Sequence, residues 1–337
     1  MENSKVKIIF FGSGAFAVPV LEALCLSPKI QMCGIVTQPD KPAGRKMVLT
    51  PTPVGKWCDA HEIECRRVPN VNAPEVLEPL RSETPDIIVV VSFGQLLREE
   101  LLNLPRFCCL NVHASLLPKY RGASPITSAV LNGERESGVS FMHMDKGLDT
   151  GAVFESHRLA LPPDIRADTL EARLSGLAAE KIVACIMNIT EHHLEAVPQN
   201  HDAATVSKKI RKGNGSIKWA ESAMVIDRRL RAFYPWPGVC FRLALPDRAV
   251  NVKITAGRFI PSSVHVSSPG TPATTPGTIL KLAKEGMTAA CGAGAILIER
   301  VIPEGKKEMN AADFARGFRL AVGDVLADGP EYPPKNK

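Results

Sequence analysis

Residues 7–24 read KIIFFGSGAFAVPVLEAL, in which an apolar run, a glycine-flanked turn and a helical repeat follow one another directly. The apolar run predicts a buried strand, because a strand covered on both faces is apolar throughout. Gly12 and Gly14 predict a tight turn. Apolar residues then recur with helical spacing at Ala17, Val20, Leu21 and Leu24. The segment therefore predicts a β-strand, a tight turn and an α-helix.

Strands and helices continue to alternate over the first two hundred residues. Further apolar runs predict strands at 30–36, 87–93 and 139–144, and helical spacing predicts helices at 73–81, 125–132 and 170–188. A long polar loop is expected over 38–53. This order indicates an α/β fold with a Rossmann-like, mostly parallel sheet and helices on both faces.

The pattern changes beyond about residue 205. Short alternating segments separated by turn residues predict strands at 238–245, 250–256, 277–282 and 295–301, after a helix at 220–232. They favour a small C-terminal β-barrel of the OB type. We therefore expect one domain over 1–204, a second over 205–330 and a flexible tail over 331–337, with a mobile loop at 261–277.

Charge divides along the chain in the same place. The 337 residues carry 41 Lys and Arg against 35 Asp and Glu, a net charge of +6. Residues 1–205 hold 20 basic and 24 acidic side chains, whereas residues 206–337 hold 21 and 11. A surplus of this size favours a polyanionic partner for the second domain, and a basic surface kept for solubility is the alternative.

The nine cysteines include no C-x-x-C pair and are expected to be reduced core thiols. No apolar run approaches the roughly 18 residues that a membrane helix needs. Lys5, Lys7 and the apolar stretch after them resemble a signal peptide superficially, but Gly12, Gly14 and Pro19 interrupt the stretch. These features predict a cytoplasmic location.

The Gly12-Ser-Gly14 turn is also open to a dinucleotide-binding interpretation. It completes G-x-G-x-x-G/A only in the permissive form that ends at Ala17, and Asp40 follows the second strand among prolines. A plain tight turn, or a loop near another ligand, fits these residues better than a nicotinamide site.

Asn111 and His113 follow the apolar residues 107–110 at a spacing that places both on one face of a strand. Ligands bind at the carboxyl ends of strands in open parallel sheets. An amide donor beside an imidazole suits a developing oxyanion and a moving proton. Asp149, in the glycine-flanked loop 147–151, could orient the histidine or be an ordinary turn residue. His113, His143 and Asp149 could instead form a metal site. This alternative is not favoured, and we expect no metal.

Together these segments resemble the folate-dependent formyltransferase family. The segment Asn111-Val-His113-Ala-Ser-Leu-Leu-Pro118 and the later Leu148-Asp149-Thr-Gly151 match its active-site pattern. The segments 10–14, 37–40, 42–45 and 233–237 resemble, in the same order, those of the family member that acts on methionyl initiator tRNA. The resemblance covers nearly the whole chain.

The resemblance implies that the formyl group of 10-formyltetrahydrofolate passes to the α-amino group of methionyl initiator tRNA, for translation initiation. Asn111, His113 and Asp149 match the catalytic positions. The folate-contact positions correspond to Ser115, Leu116, Leu117, Pro118, Phe93 and Gln95. A folate-dependent formyltransferase acting on a small amine, such as a sugar nucleotide, is the alternative within the family, and a dehydrogenase or an RNA-binding protein lies outside it.

Basic residues at two places are expected to bind tRNA. One set lies at the domain junction and comprises Lys208, Lys209, Arg211 and Lys212, with Arg228, Arg229 and Arg231 on the helix that follows. The resemblance assigns the other to the loop 38–53, with Lys41, Arg45 and Lys46. Family members commonly carry lysines further along this loop, where Met47 and Val48 stand here. We therefore expect this loop to bind tRNA more weakly or through differently distributed contacts, and a solvated loop without contacts is the alternative. No protein partner is implied, and a monomer is expected.

Overall fold

The computed structural model describes residues 5–44, 47–260 and 274–332. The chain divides into two compact units. One comprises Met1–Ile126, Arg135–Leu161 and Thr169–Lys208, and the other comprises Thr127–Glu134, Pro162–Asp168 and Lys209–Lys337. The division of function between a domain over 1–204 and one over 205–330 stays a prediction.

The chain up to residue 208 alternates strands with helices. The strands are β1 (Val6–Gly12), β2 (Ile30–Thr37), β3 (Lys41–Ala43), β4 (Val48–Thr50), β5 (Arg66–Arg67), β6 (Ile87–Val91), β7 (Cys108–His113), β8 (Arg121–Gly122), β9 (Glu136–His143), β10 (Val153–Ala160) and β11 (Val206–Ser207). The helices are α1 (Ala17–Leu26), α2 (Pro53–Ala60), α3 (Pro74–Ser82), α4 (Glu99–Leu102), α5 (Pro125–Asn132) and α6 (Ala167–Glu191).

Seven of these strands form the central sheet of the first unit, in the order β10-β9-β7-β6-β1-β2-β5. The five from β7 to β5 run parallel, and at one side of the sheet β9 pairs antiparallel with both β7 and β10. Every residue of β6 is buried, as expected for a strand covered on both faces. The predicted Rossmann-like, mostly parallel sheet is confirmed.

The register of the sheet places three strand ends side by side. Gly12 at the end of β1 pairs with Val91 at the end of β6, and Val90 of β6 pairs with Asn111 of β7. The loops that follow β1, β6 and β7 therefore leave the same edge of the sheet. This edge is where ligands bind in open parallel sheets.

The segment 38–53 differs from the expected loop. It contains the antiparallel hairpin of β3 and β4, and α2 begins at Pro53. Thr52 caps this helix, because its hydroxyl accepts a hydrogen bond from the Gly55 amide. The hairpin was missed because its strands are only three residues long. Arg45 and Lys46, which are predicted to contact tRNA, lie outside the described residues.

The second unit is built on an antiparallel sheet. Its strands are β12 (Val239–Ala244), β13 (Ala249–Ile260), β14 (Ile279–Ala283), β15 (Gly286–Ala290), β16 (Ala295–Pro303) and β17 (Met309–Asn310), with helices α7 (Ala223–Ala232) and α8 (Ala311–Gly317). The order is β12-β13-β16-β15-β14, and β17 also pairs with β16. The segment 325–327 bridges the two sides of the sheet, because Ala327 pairs with Arg242 of β12 and Val325 with Thr278, the residue before β14. The predicted antiparallel C-terminal domain is confirmed.

The nine cysteines are free thiols. Burial raises the pKa of Cys108 and of Cys291 to about 12, so both thiols stay protonated at neutral pH. None of the helices described is long and apolar enough to cross a membrane. The predicted mobile loop at 261–277 and the predicted flexible tail at 331–337 lie mostly outside the described residues, which do not include 261–273 and 333–337.

Candidate active site

The Asp149 carboxylate is the centre of a cluster at the carboxyl edge of the parallel strands. Its Oδ1 accepts a hydrogen bond from Asn111 Nδ2 at 3.2 Å, and its Oδ2 accepts one from the Gly122 amide at 2.7 Å. The same Oδ2 lies 3.7 Å from His113 Nδ1. The structure therefore brings together the three residues predicted to be catalytic.

His113 is held by its other ring nitrogen. Nε2 lies 2.9 Å from the carbonyl oxygen of Tyr120. A carbonyl oxygen only accepts, so Nε2 carries a proton and donates it. The Nδ1 atom faces the Asp149 carboxylate without a hydrogen bond between them, since their separation of 3.7 Å exceeds hydrogen-bond length. Nδ1 is therefore the nitrogen that remains to exchange a proton with a substrate.

Two residues of this cluster have left-handed backbone conformations. Tyr120 and Asp149 have φ angles of 59° and 54°. Such φ values are uncommon outside glycine and concentrate at functional sites. Tyr120 follows β7 and Asp149 lies between β9 and β10, so the backbone strain falls on two segments that carry the cluster.

The segment from Ser115 to Pro118, predicted to contact folate, is fixed by a buried hydroxyl on β9. Ser140 Oγ donates to the Ser115 carbonyl at 2.8 Å and accepts from the Leu117 amide at 3.0 Å. Ser115 is itself buried, and its hydroxyl donates to the carbonyl of Lys119 at 2.6 Å. Leu116, Leu117 and Pro118 remain partly exposed, and the peptide between the last two is cis.

The loop after β6 holds the other two predicted folate contacts. The Phe93 ring is buried against Phe11 at 5.2 Å between centroids. The Gln95 amide accepts from the Val71 amide and donates to the Val68 carbonyl. Because the Phe93 ring is in the core and Gln95 bonds to backbone, a ligand at this loop would meet mainly its backbone and the exposed Leu96.

Gln38 joins this loop to the hairpin of β3 and β4. Its Nε2 donates to the Phe93 carbonyl at 2.6 Å, and its Oε1 accepts from Lys41 Nζ at 2.6 Å. Lys41, predicted to contact tRNA, is exposed on the hairpin. Met47, Val48 and Leu49 on the same hairpin are also exposed.

The basic residues of the junction segment are exposed: Lys208, Lys209, Arg211 and Lys212. Two arginines on α7 instead form ion pairs with carboxylates of the second unit. Arg229 forms two hydrogen bonds with the Glu221 carboxylate, and Arg231 binds Asp227 and the carbonyl of Ile165. The expectation that both face phosphates is corrected, because their guanidinium groups are turned to partners within the second unit.

The residues of the two alternative sites have structural contacts of their own. Asp40, considered as a ribose ligand, lies 3.2 Å from Arg67 Nε in an ion pair. His143, on β9, pairs in the sheet with Leu110 and stacks on Phe154. Among the described residues no three His, Cys, Asp or Glu side chains are grouped so as to hold a metal ion.

The sequence patterns do not identify three polar residues of this region: Ser140, Arg121 and Gln199. All three are buried. Arg121 and Gln199 are 78 residues apart, yet Arg121 Nη2 donates to Gln199 Oε1 at 2.8 Å. Their burial is the signal that marks them, because buried polar side chains need partners. Periodicity in one sequence does not carry that information.

Comparison with known proteins gives the same two-part division. The family model described as "Formyl transferase" matches residues 5–186, and that described as "Formyl transferase, C-terminal domain" matches residues 209–319. A protein of Methylacidiphilum infernorum named methionyl-tRNA formyltransferase is 37% identical over 97% of this chain and 99% of its own. One of the same name from Geotalea uraniireducens is 36% identical, over 95% and 98%.

Solved structures share the fold at lower identity. The crystal structure of HypX from Aquifex aeolicus in complex with tetrahydrofolic acid superposes with a TM-score of 0.60 at 14% identity. The match covers 98% of this chain and 51% of that one.

Removing the Ser140 hydroxyl should loosen the segment 115–118. Ser140→Ala leaves the Ser115 carbonyl and the Leu117 amide without their buried partner, so we expect the free energy of unfolding to fall by about 1–3 kcal/mol. Urea denaturation measures this loss. The matched control is Ser156→Ala, which removes one contact to the Ser140 hydroxyl and leaves its other two bonds. Equal losses for the two variants would contradict the role given to Ser140.

Proposed function

The chain belongs to the formyl transferase family, and on that premise we propose that it transfers the formyl group of 10-formyltetrahydrofolate to the α-amino group of methionyl initiator tRNA. The observation that carries the proposal is sequence identity to relatives named methionyl-tRNA formyltransferase. Two of them are 37% and 36% identical to this chain over nearly its full length and nearly their own. The product, N-formylmethionyl-tRNA, serves translation initiation. We propose that the enzyme acts in the cytoplasm, where charged tRNA is made and where the cysteine thiols of the enzyme stay reduced.

The acceptor amine needs little activation. With a free α-amino pKa near ~7.7 to 8.0, roughly a tenth of it is neutral at pH 7. The neutral amine attacks the formyl carbon, a C–N bond forms, and the carbonyl oxygen becomes an oxyanion. Stabilising that oxyanion and delivering a proton to the leaving folate nitrogen are the demanding steps.

Asn111 is the proposed oxyanion donor. Its side-chain amide carries two hydrogens, and one is given to Asp149 Oδ1. That bond fixes the amide plane, so the second hydrogen has a defined direction towards the developing negative charge. A donor fixed before the reaction needs no reorganisation when the charge appears.

His113 is the proposed proton carrier. Its Nε2 is engaged by the Tyr120 carbonyl, so the exchange takes place at Nδ1, beside the Asp149 carboxylate. In the collapse of the intermediate the C–N bond to folate breaks, the folate nitrogen gains a proton, and the former amine loses one.

The folate donor is proposed to lie against the segment from Ser115 to Pro118 and the backbone of the loop 93–96. The segment 115–118 is held by Ser140 and the loop 93–96 by Gln38. The acceptor tRNA is proposed to bind the exposed basic side chains Lys208, Lys209, Arg211 and Lys212, together with Lys41, Arg45 and Lys46 of the segment 38–53. The enzyme is proposed to act as a monomer and without a metal.

Asn111→Ala tests the oxyanion donor. Loss of one such donor typically lowers turnover by about 10²–10³-fold, and we expect that loss in kcat with 10-formyltetrahydrofolate and methionyl initiator tRNA, with tRNA affinity unchanged. Asn103→Ala removes an exposed amide at the end of α4 and should keep the wild-type kcat. A wild-type kcat for Asn111→Ala would refute this role, and formylation of neither initiator nor elongator tRNA by the native enzyme would refute the activity.

The junction basic residues should make the reaction sensitive to salt. Affinity falls with a slope of roughly −0.9 in log–log terms for each duplex phosphate contacted. Replacing Lys208, Lys209, Arg211 and Lys212 together by glutamine should therefore flatten the dependence of log kcat/KM on log salt by up to about 3.6 units of slope. The control replaces the exposed Lys281, Lys284, Lys306 and Lys307 in the same way. An equal flattening by both sets would contradict a specific role for the junction segment.

A further inference from the structure

We infer that Gln199 is a positioning residue that fixes the Asp149 carboxylate for the transfer reaction; the inference rests on the proposed function. Gln199 lies between α6 and β11, outside every motif that suggested the site. It is buried, with 8% of its surface exposed. A buried amide must satisfy both its donor and its acceptor groups.

Every hydrogen-bonding group of the Gln199 amide is used. Nε2 donates to the carbonyl of Asp149 at 3.0 Å and to that of Gly151 at 2.7 Å. Oε1 accepts from Arg121 Nε at 3.1 Å and from Nη2 at 2.8 Å. One side chain therefore ties the loop that carries Asp149 to the strand β8 that carries Arg121.

The two segments joined in this way are those that hold the reacting groups. Arg121 lies between Tyr120, whose carbonyl binds His113, and Gly122, whose amide binds Asp149. The bonds of Gln199 thus hold the backbone carbonyls on the Asp149 side of this contact and the Arg121 side chain on the Gly122 side.

The bonds that the loop makes within itself lie at the surface. The Gly147 amide and the Thr150 hydroxyl bind the carboxylate of Asp145, which is exposed. The left-handed backbone at Asp149 is costly and persists only where its surroundings enforce it. Gln199 supplies a buried constraint by holding the carbonyl of Asp149 itself.

Gln199→Glu separates this role from simple stabilisation. Glutamate keeps the size of the side chain and an oxygen for Arg121, but it replaces the NH₂ donor by an oxygen facing two carbonyl oxygens. Since displacement by about 1 Å can cost 10²-fold in rate, we expect the single-turnover rate of formyl transfer to fall by about 10- to 100-fold. The KM for initiator tRNA should change by less than about threefold, because the tRNA contacts lie elsewhere.

A double-mutant cycle identifies the residue through which Gln199 acts. In an Asp149→Asn background the same substitution should change the rate by less than about threefold, because the group that it positions has already been altered. Gln199→Met, which removes both ends of the bridge at similar volume, should show the same dependence on background. Asn200→Ala, which removes only the cap on the Asp202 amide, should keep the wild-type rate.

Three results would overturn the inference. One is a wild-type rate for both Gln199 variants. The second is that substitution of Gln199 lowers the rate equally in the wild-type and the Asp149→Asn backgrounds. The third is that Asn200→Ala lowers the rate as much as the Gln199 variants do. A wild-type rate for Asp149→Asn alone would overturn the assignment of Asp149 as well, and so separates failure of the proposed site from failure of the inference.

Discussion

The carboxylate of Asp149 is the interaction on which the rest of the site depends. It accepts from an amide on the tip of β7 and from the backbone of β8, and it faces the imidazole of His113. Charge-assisted hydrogen bonds of this kind are about twice as strong as neutral ones. One negative group therefore orients the proposed oxyanion donor and faces the proposed proton carrier, both of which lie on β7, and it also binds the backbone of β8.

The parallel sheet makes this arrangement possible. Its register brings the ends of β1, β6 and β7 to one edge, so the loops that follow these strands begin close together. Around that edge, polar side chains fix the loops: the buried Ser140 and Gln199 hold 115–117 and 149–151, and the half-buried Gln38 holds Phe93. The groups proposed to be catalytic, whose positions must be accurate to within about 1 Å, are thus supported by a rigid scaffold.

The sequence predicts the parts of this site that follow from local geometry. Asn111 and His113 share a face because they are two residues apart on a strand, and they reach the ligand edge because that strand is parallel. The partners of buried polar groups are different, because Gln199 meets Arg121 across 78 residues of chain. Likewise, the positive charge of Arg229 is visible in the sequence, but its pairing with Glu221 depends on the packing of α7.

The most direct test of the central claim is a comparison of single-turnover formyl transfer by Asn111→Ala, Asp149→Asn and the variant that carries both. If the Asp149 carboxylate and the Asn111 amide work as one unit, the double variant should transfer within about tenfold of the slower single variant, because residues of one catalytic unit are strongly non-additive. If the two losses instead multiply, the residues act independently, and a site organised by Asp149 is contradicted.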